Sequence, residues 1–573
     1  MTRGARVGID LGTTHSLVSV MDGTRPIVLP NGLGETLTPS AVSVTEDGSL
    51  LVGAAARARA VTHPESTVLA FKRDMGTDRV FRLGGREFGP EELSALVLAE
   101  LRRDAEQALG QPIVEAVVTV PAYFGELQRR ATRAACDIAG LHVERIINEP
   151  TAAALAYGLH QRSREFRAAI LDLGGGTFDV TLLELMEGVI EIRSTAGDLR
   201  LGGDDFTDLL ADLLVKKLDE QHGLRVGDSR VARARVREAA ELAKKRLAGA
   251  AETRVPFVDL PLAGGRVASA EVSLSRDEAE SVWIDPLLRM RAPVERAMRD
   301  AELPPAAIDE VLLVGGATRM PCVRRLAAQL FGRLPLTSLP PDHAIAMGAA
   351  VQVELKAGSS AVEELVVTDV APFSLGVETV FESSGRHISG LFTPVLDRGT
   401  VLPASRVKTF RTAADGQHTI SVQVYQGEHS LCRDNVRLGA YQVEGIPRKA
   451  AGEEAVDIRF TYDLNGLLDI DVTVHSTGQE TSFTLEPTAG KLTPEQIAIA
   501  RQRLKAVKLH PREALPNVTA LARAEALYVT LSGFERERVA LAMNVFRTAL
   551  ERQDPEPIRR ARESLNALVR SAS

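Results

Sequence analysis

Cysteine is scarce: Cys136, Cys322 and Cys432 are the only three, far apart and with no CxxC pair. That argues against a disulfide framework or a zinc cluster and for a reducing compartment. Aromatic residues are also few, with one Trp, six Tyr and 17 Phe in 573 residues, so aliphatic side chains must fill the cores. No stretch of about 20 uncharged apolar residues is present to span a bilayer. The opening MTRGARVGIDLGTTHS lacks the apolar run of a signal peptide. A cytoplasmic chain is the expectation. Basic charge is not in excess either: 68 Lys and Arg stand against 76 Asp and Glu, a net charge of −8. This is not the footprint of a nucleic-acid binder. Neither GxxxxGK[ST] nor GxGxxG after a strand occurs, so a P-loop and a dinucleotide fold lack support.

What is present is an ordinary globular composition, 45% apolar and 25% charged, on a chain long enough for several domains. Up to about residue 363, short apolar strands such as 7–11, 115–120, 168–173 and 310–316 alternate with helical segments such as 91–109 and 235–249. This pattern predicts α/β layers. From about 370 the period becomes two. Ile420, Val422 and Val424 alternate with polar residues, and two alternating runs flank Asn465-Gly466, a hairpin signal. An antiparallel β domain is expected to about 487. The remainder is helical, opened by the capping box Thr493-Pro494-Glu495-Gln496. Pro511 and Pro516 are expected to break that helix, with further helices at 519–532, 535–553 and 556–569.

The chemistry concentrates in two similar turns. Asp10-Leu11-Gly12-Thr13-Thr14 and Asp172-Leu173-Gly174-Gly175-Gly176-Thr177-Phe178-Asp179 each place a carboxylate at a strand end, then glycine, then hydroxyls. Glycines let main-chain N–H groups approach a phosphate, and the threonines add donors. A carboxylate beside a phosphate loop suits Mg²⁺, which favours one or two carboxylates plus phosphate oxygens. One such turn alone is more often only a turn. Two together, each after an apolar strand, point to phosphate binding between two related lobes. Gly315-Gly316-Ala317-Thr318-Arg319 is a third glycine turn, and its Arg is suited to stacking on a base.

The ordered set DLGTTHS, FKR, VPAYF, INEPTAAALAYG, DLGGGTFDV, LGGDDF and VGGATRMP resembles that of the 70-kDa heat-shock chaperones of the DnaK type. The likeness runs nearly end to end and is most like the short HscC-type branch. It implies an actin-like two-lobed ATPase domain (1–363), an interdomain linker (364–370), an antiparallel β-sandwich peptide-binding domain (371–490) and a short helical lid (491–573). It also implies ATP and Mg²⁺. Asp10 and Asp172 would hold the hydrated metal. Gly12, Thr13, Thr14, Gly174, Gly175, Gly176 and Thr177 would contact phosphates, with Gly202 and Gly203 of LGGDDF beside them. Lys72 would face the γ-phosphate, with Glu149, Asp179 and Thr177 completing the catalytic set. Glu241 and Lys244 would hold the nucleoside, opposite Gly315, Gly316, Arg319 and Asp342.

For peptide, the resemblance implies Val377, Phe410, Ile420 and Val422 around a small apolar pocket, arched over by Val380 and Ala413. Pro121, Arg129 and Asp369 would relay nucleotide state through a linker containing Leu365, Val366 and Val367. Arg145 matches a position used by J-domain cochaperones. The implied partners are unfolded or extended client polypeptides and a J-domain cochaperone, with no nucleic acid and no membrane. The short segment between Lys72 and Pro121 leaves open whether a nucleotide-exchange factor binds. His15, Ala248 and His343 depart from the family's usual residues. A regulatory partner-binding protein with slow ATPase, or a small-molecule kinase on the same fold, are the alternative readings.

Overall fold

Two β-hairpins with the same local grammar seed two sheets. Ala5–Asp10 pairs antiparallel with His15–Asp22 and parallel with Ile113–Val120. Phe166–Leu173 likewise pairs antiparallel with Phe178–Met186 and parallel with Glu310–Val314. The computed structural model describes residues 4–158, 165–186, 189–226, 229–262, 266–336, 339–356, 366–383, 386–463, 465–484, 493–506, 515–531, 533–552 and 555–572. In the first lobe the sheet order is Val143–Asn148, Ile113–Val120, Ala5–Asp10, His15–Asp22, Arg25–Val28. In the second it is Glu310–Val314, Phe166–Leu173, Phe178–Met186, Val189–Asp198, Val366–Val370, Val401–Leu402. Both aspartate–glycine turns therefore leave the carboxyl end of a central strand, where ligands bind in such sheets. The two lobes expected from the repeated pattern are present.

Each lobe has its own aliphatic core. Val7, Ile9, Leu96 and Val118 belong to the first, and Leu171, Phe206, Leu210 and Val236 to the second. Trp283 is buried among them, and its indole N–H donates to the Phe206 carbonyl at 2.9 Å. Between the lobes, helices Glu149–Ala156 and Ala344–Lys356 cross at close range. A Cβ on Gly348 would stand 1.7 Å from the Ala152 carbonyl oxygen, so only glycine admits this crossing.

One buried acid in the first lobe carries a pH prediction. Glu91, in the first turn of helix Pro90–Leu109, is buried, and its Oε1 has no hydrogen-bond partner. Burial pushes its carboxyl up to about 7. A folded-state value above the unfolded one means a stabilising contribution that is present at low pH and lost as pH rises through 7. Glu91→Gln is thus expected to melt higher than wild type at pH 8, by the equivalent of about 3 kcal/mol. At pH 4, below the ordinary carboxylate value, the two should melt nearly alike in a calorimetric scan.

The β domain has two four-stranded sheets. One runs Arg386–Leu396, Leu375–Ser383, Thr419–Gln426, Val436–Glu444, and the other Ala404–Arg411, Ala455–Tyr462, Leu468–Val474, Glu480–Thr484. Alternate residues of both sheets, among them Val424, Val443, Ile458, Phe460 and Val472, form one core. The hairpin at Asn465-Gly466 is present, but residues 463–467 connect the strands, and Gly466 takes φ +69°.

The expected linker is a strand. Val366–Thr368 runs parallel to Val189–Glu191 of the second lobe, and Asp369 and Val370 pair with Leu402 and Val401. Leu365 lies outside the described residues. The capping box forms as read: Thr493 N–H donates to Gln496 Oε1 at 2.7 Å, and Gln496 N–H to Thr493 Oγ1 at 3.1 Å. Helix Pro494–Ala506 lays Ile497, Ala500 and Leu504 on the first lobe's core. Leu515–Tyr528, Gly533–Arg552 and Pro555–Ala572 follow as a bundle around Ala524, Val539, Phe546 and Leu565. Pro516 corrects one expectation. It opens a helix at Leu515, four residues before the expected start, because proline lacks an N–H that the first turn does not need.

Candidate functional site

Between the lobes lies a cleft of 440 Å³. The first lobe lines it with Asp10, Gly12, Thr13, Thr14, His15 and Lys72, and the crossing helix adds Glu149. The second lobe supplies Asp172, Gly174, Gly175, Thr177, Gly203, Glu241 and Lys244. Gly315, Gly316, Arg319 and Asp342 close the far wall. Residues from Asp10 to Ile345, 335 positions apart in the chain, thus face one space.

Three residues of the expected set do not line it. Gly176 packs under Thr13 and Arg73, and Gly202 lies so close to the Gly175 backbone that a Cβ there would be 2.4 Å from the Gly175 oxygen. Both pack behind the Gly174–Thr177 turn. Asp179 sits beneath the cleft, paired across the hairpin with Asp172, and accepts the Tyr123 N–H at 3.1 Å. It is near enough for its charge to add to burial and Glu149 in raising the Asp172 carboxyl.

Lys72 lies in the short turn Phe71–Asp74, entered through Ala70 at φ +56°, a conformation that non-glycine residues seldom adopt. The turn aims Lys72 inward, 3% exposed, to donate to Glu149 Oε1 at 2.8 Å. Glu149 starts helix Glu149–Ala156 with Pro150 in its first turn. Around this pair the acids outnumber the cations. Burial, then Glu149, pushes Asp10 up to about 7, and the same two causes push Asp179 up to about 8. Asp172 is raised well above the usual carboxylate range by burial and by Glu149, Asp179 and Asp10. Asp172 Oδ2, Asp179 Oδ2 and Thr14 Oγ1 have no hydrogen-bond partner. Such a site gains free energy by taking up a cation. Among the described residues no group of three or more His, Cys, Asp or Glu is set to chelate a metal. A cation here would lean on two carboxylates and on ligand or water oxygens, as Mg²⁺ prefers.

The opposite end suits a nucleoside. Lys244 Nζ meets Glu241 at 2.6 Å and donates to the Gly203 carbonyl at 2.8 Å and Thr207 Oγ1 at 2.7 Å. Burial alone would raise Glu241, but Lys244 and Lys245 outweigh it and hold the carboxylate ionised. Across the gap Arg319 pairs with Asp342 at 2.6 Å, leaving the guanidinium half exposed at the wall. His15 faces the same space, and burial with Lys245 and Arg57 nearby pushes it down to about 4, so it is neutral. His343 accounts for itself differently: its Nε2 is 3.2 Å from Thr36 Oγ1, a bond between the lobes. Leu17, Leu37, Lys245 and Ile345 also line the cleft, and no local motif marks them.

The relay positions gather at the contact with the β domain. Arg129 is buried and donates to the Phe124 carbonyl at 3.1 Å, Asn148 Oδ1 at 2.6 Å and the Asn465 carbonyl at 3.4 Å. Pro121 opens the turn that carries Phe124, its carbonyl accepting the Phe124 N–H. Asp369 Oδ1 accepts from Thr151 Oγ1 at 2.8 Å, two residues after Glu149. Arg145 lies beside Ile146, whose N–H donates to Asn465 Oδ1 at 3.1 Å. The peptide positions divide: Val377 and Val422 are in the sandwich core, Phe410 and Ile420 are half-buried at its margin, and Val380 and Ala413 are exposed.

No helix among the described residues is long and apolar enough to cross a membrane. The sequence model of the Hsp70 protein family matches residues 6–82 and 79–544, which covers both lobes, the β domain and the start of the bundle. Hsp70 proteins are ATP-dependent chaperones built from a two-lobed actin-like ATPase and a sheet-rich substrate-binding domain. They bind ATP with Mg²⁺, unfolded clients and J-domain cochaperones. With its paired hairpin lobes, its acid-rich cleft and its following β-sandwich, this chain belongs to the Hsp70 family.

Proposed function

We propose that this protein hydrolyses ATP in the interlobe cleft and uses the ATP-bound state to open a peptide site in the β domain, with the C-terminal helices as a short lid. The observation that carries this reading is the strand Val366–Val370. It pairs with the second lobe on one side and with Val401–Leu402 on the other, so nucleotide-driven lobe movement and β-domain docking share one backbone. The extended site then binds apolar segments through strand-like hydrogen bonding, with Val377, Phe410, Ile420 and Val422 as the pocket and Val380 and Ala413 as the arch.

In the cleft, Thr13, Thr14, Gly174, Gly175 and Thr177 would bind the phosphates. Glu149 orients the attacking water, with Asp179 setting the charge behind it. Lys72 offsets charge on the transferring phosphoryl oxygens, where positioning and charge compensation carry most of the catalysis. Asp10 and Asp172 would hold Mg²⁺, which when bound neutralises phosphate charge. Asp172→Asn keeps an oxygen but loses the charge that the ion favours. It is expected to need about tenfold more Mg²⁺ for half-maximal hydrolysis, by one to two kcal/mol of lost charge-assisted binding; an unchanged titration places the ion elsewhere.

In this reading the protein is an HscC-type cytoplasmic chaperone of few clients, served by a J-domain partner at Arg145. A regulatory protein with slow ATPase is the second reading, favoured by the burial of Val377 and Val422 to 2%. Steady-state ATPase with and without an extended apolar peptide separates the two. Stimulation by peptide supports the chaperone; binding of a folded partner without peptide stimulation supports the regulator.

A further inference from the structure

The C-terminal bundle touches both ATPase lobes, not one. Its first helix, Leu515–Tyr528, lies along Ala54–Thr62 of the first lobe, with Val518 packed on the small cluster of Ala41, Leu51, Ala55 and Ala56. Arg523 grips Glu35 of that lobe with both guanidinium nitrogens, at 2.5 and 2.7 Å. The end of the same helix reaches the second lobe. Leu527, Thr530 and Leu531 line one small pocket together with Leu242, Ala243 and Arg246 of helix Arg230–Gly249. Arg536, held over the Tyr528 ring at 4.4 Å, pairs with Asp259 of the second lobe at 2.6 Å.

The second-lobe helix that shares this pocket with the bundle also forms the nucleoside wall. Glu241, Lys244, Lys245 and Ala248 face the cleft, while Leu242 and Arg246 face the bundle. Just below, the lobes already touch through the Arg57–Glu238 ion pair at 2.7 Å. Parting of these walls would widen the way out for a nucleotide in the cleft, and the bundle spans the gap between them.

We propose that the bundle is a strap that holds the two lobes together across the cleft and so limits the rate of nucleotide release. Exchange is then controlled from within the chain: detaching the bundle from either lobe frees the walls to separate. The inference rests on the nucleotide reading of the cleft, but it concerns dissociation and needs no hydrolysis. Two arms make the strap, an Arg–carboxylate pair to each lobe, and cutting either one should suffice.

The test is the dissociation rate of a fluorescent N-methylanthraniloyl-ADP from the full-length protein, chased with unlabelled ADP in a stopped-flow instrument. Arg536→Ala, which cuts only the second-lobe arm, is expected to release the analogue about threefold faster, and Arg523→Glu about fivefold or more, the scale of well-formed partly exposed ion pairs. The charge-swapped Arg523→Glu/Glu35→Arg chain should return towards the wild-type rate, which a general loss of stability would not produce. Arg536→Ala removes only a partly exposed contact and keeps the test alive if Arg523→Glu fails to fold. Equal release from wild type and Arg536→Ala, with both folded by circular dichroism, overturns the strap. Failure of the folded wild type to bind the analogue at all overturns the nucleotide reading instead, and the strap with it.

Discussion

Lys72→Ala is expected to bind ATP yet hydrolyse it at about a hundredth to a thousandth of the wild-type rate, the usual consequence of removing one preorganised charge from a transition state. Binding draws on several groups in both lobes, whereas the Lys72 ammonium is buried beside Glu149 where the phosphoryl oxygens would be. The substitution has a second consequence. It leaves Glu149 buried without its cation, among Asp10, Asp172 and Asp179, and breaking a buried pair in this way costs about 3–5 kcal/mol. The nucleotide-free variant should therefore melt well below wild type. Lys72→Met/Glu149→Gln removes both charges and is expected to regain most of that stability without regaining hydrolysis. Single-turnover hydrolysis, nucleotide titration and a thermal melt on the three chains separate catalysis from folding. Hydrolysis at the wild-type rate in Lys72→Ala would remove Lys72 from the mechanism.

Arg129→Ala is expected to abolish the acceleration of peptide release by ATP while both ligands still bind. Arg129 joins the two ends of the proposed signal. One nitrogen holds Asn148, the residue before Glu149, and another reaches the Asn465 carbonyl at the tip of the β-domain hairpin. Gly466 packs closely beside it: a Cβ there would lie 3.0 Å from the Arg129 side chain, which would have to shift. Neighbouring bonds reinforce the seat, with Arg130 donating to the Leu468 carbonyl at 2.9 Å and the Glu126 carboxylate accepting the Leu468 N–H at 3.2 Å. Truncating a buried, hydrogen-bonded charge at such a contact costs about 2–5 kcal/mol. Coupling energies between sites are typically 1–3 kcal/mol, so this loss is large enough to erase the effect. Peptide off-rates by fluorescence anisotropy, with and without ATP, decide the matter. A full ATP response in the variant would show that the hairpin tip does not carry the signal.

Much of the local structure was legible in the residues. The strands ending at Asp10 and Leu173, the helices near 91–109 and 235–249, the period-two β domain and the Thr493–Gln496 cap all follow from rules that act over a few residues. The next helix begins at Leu515, four residues before the expected 519, because a proline without an N–H fits a first helical turn. Val377 and Val422, pocket residues by resemblance, are buried in the sandwich core, where their alternation with polar neighbours along a strand also places them. Asp179 and Gly202 carried the right motif but do not line the cleft, since strand pairing and backbone packing set their depth.

The sequence by itself determined the two phosphate-type turns, the order of α/β, β and helical regions, and the scarcity of cysteine and aromatic side chains. These are properties of neighbours along the chain, fixed by dihedral preference and hydrophobic period. Only the tertiary structure decided that Lys72 meets Glu149 across 77 positions, that His15 is neutral against Lys245, and that the linker is a strand of the second lobe. It also decided that Arg523 and Arg536 reach opposite lobes, to Glu35 and Asp259. Each of these depends on which distant surfaces exclude water from one another. Burial of that kind shifts a carboxylate or chooses an ion pair by free energies that no short window of residues contains.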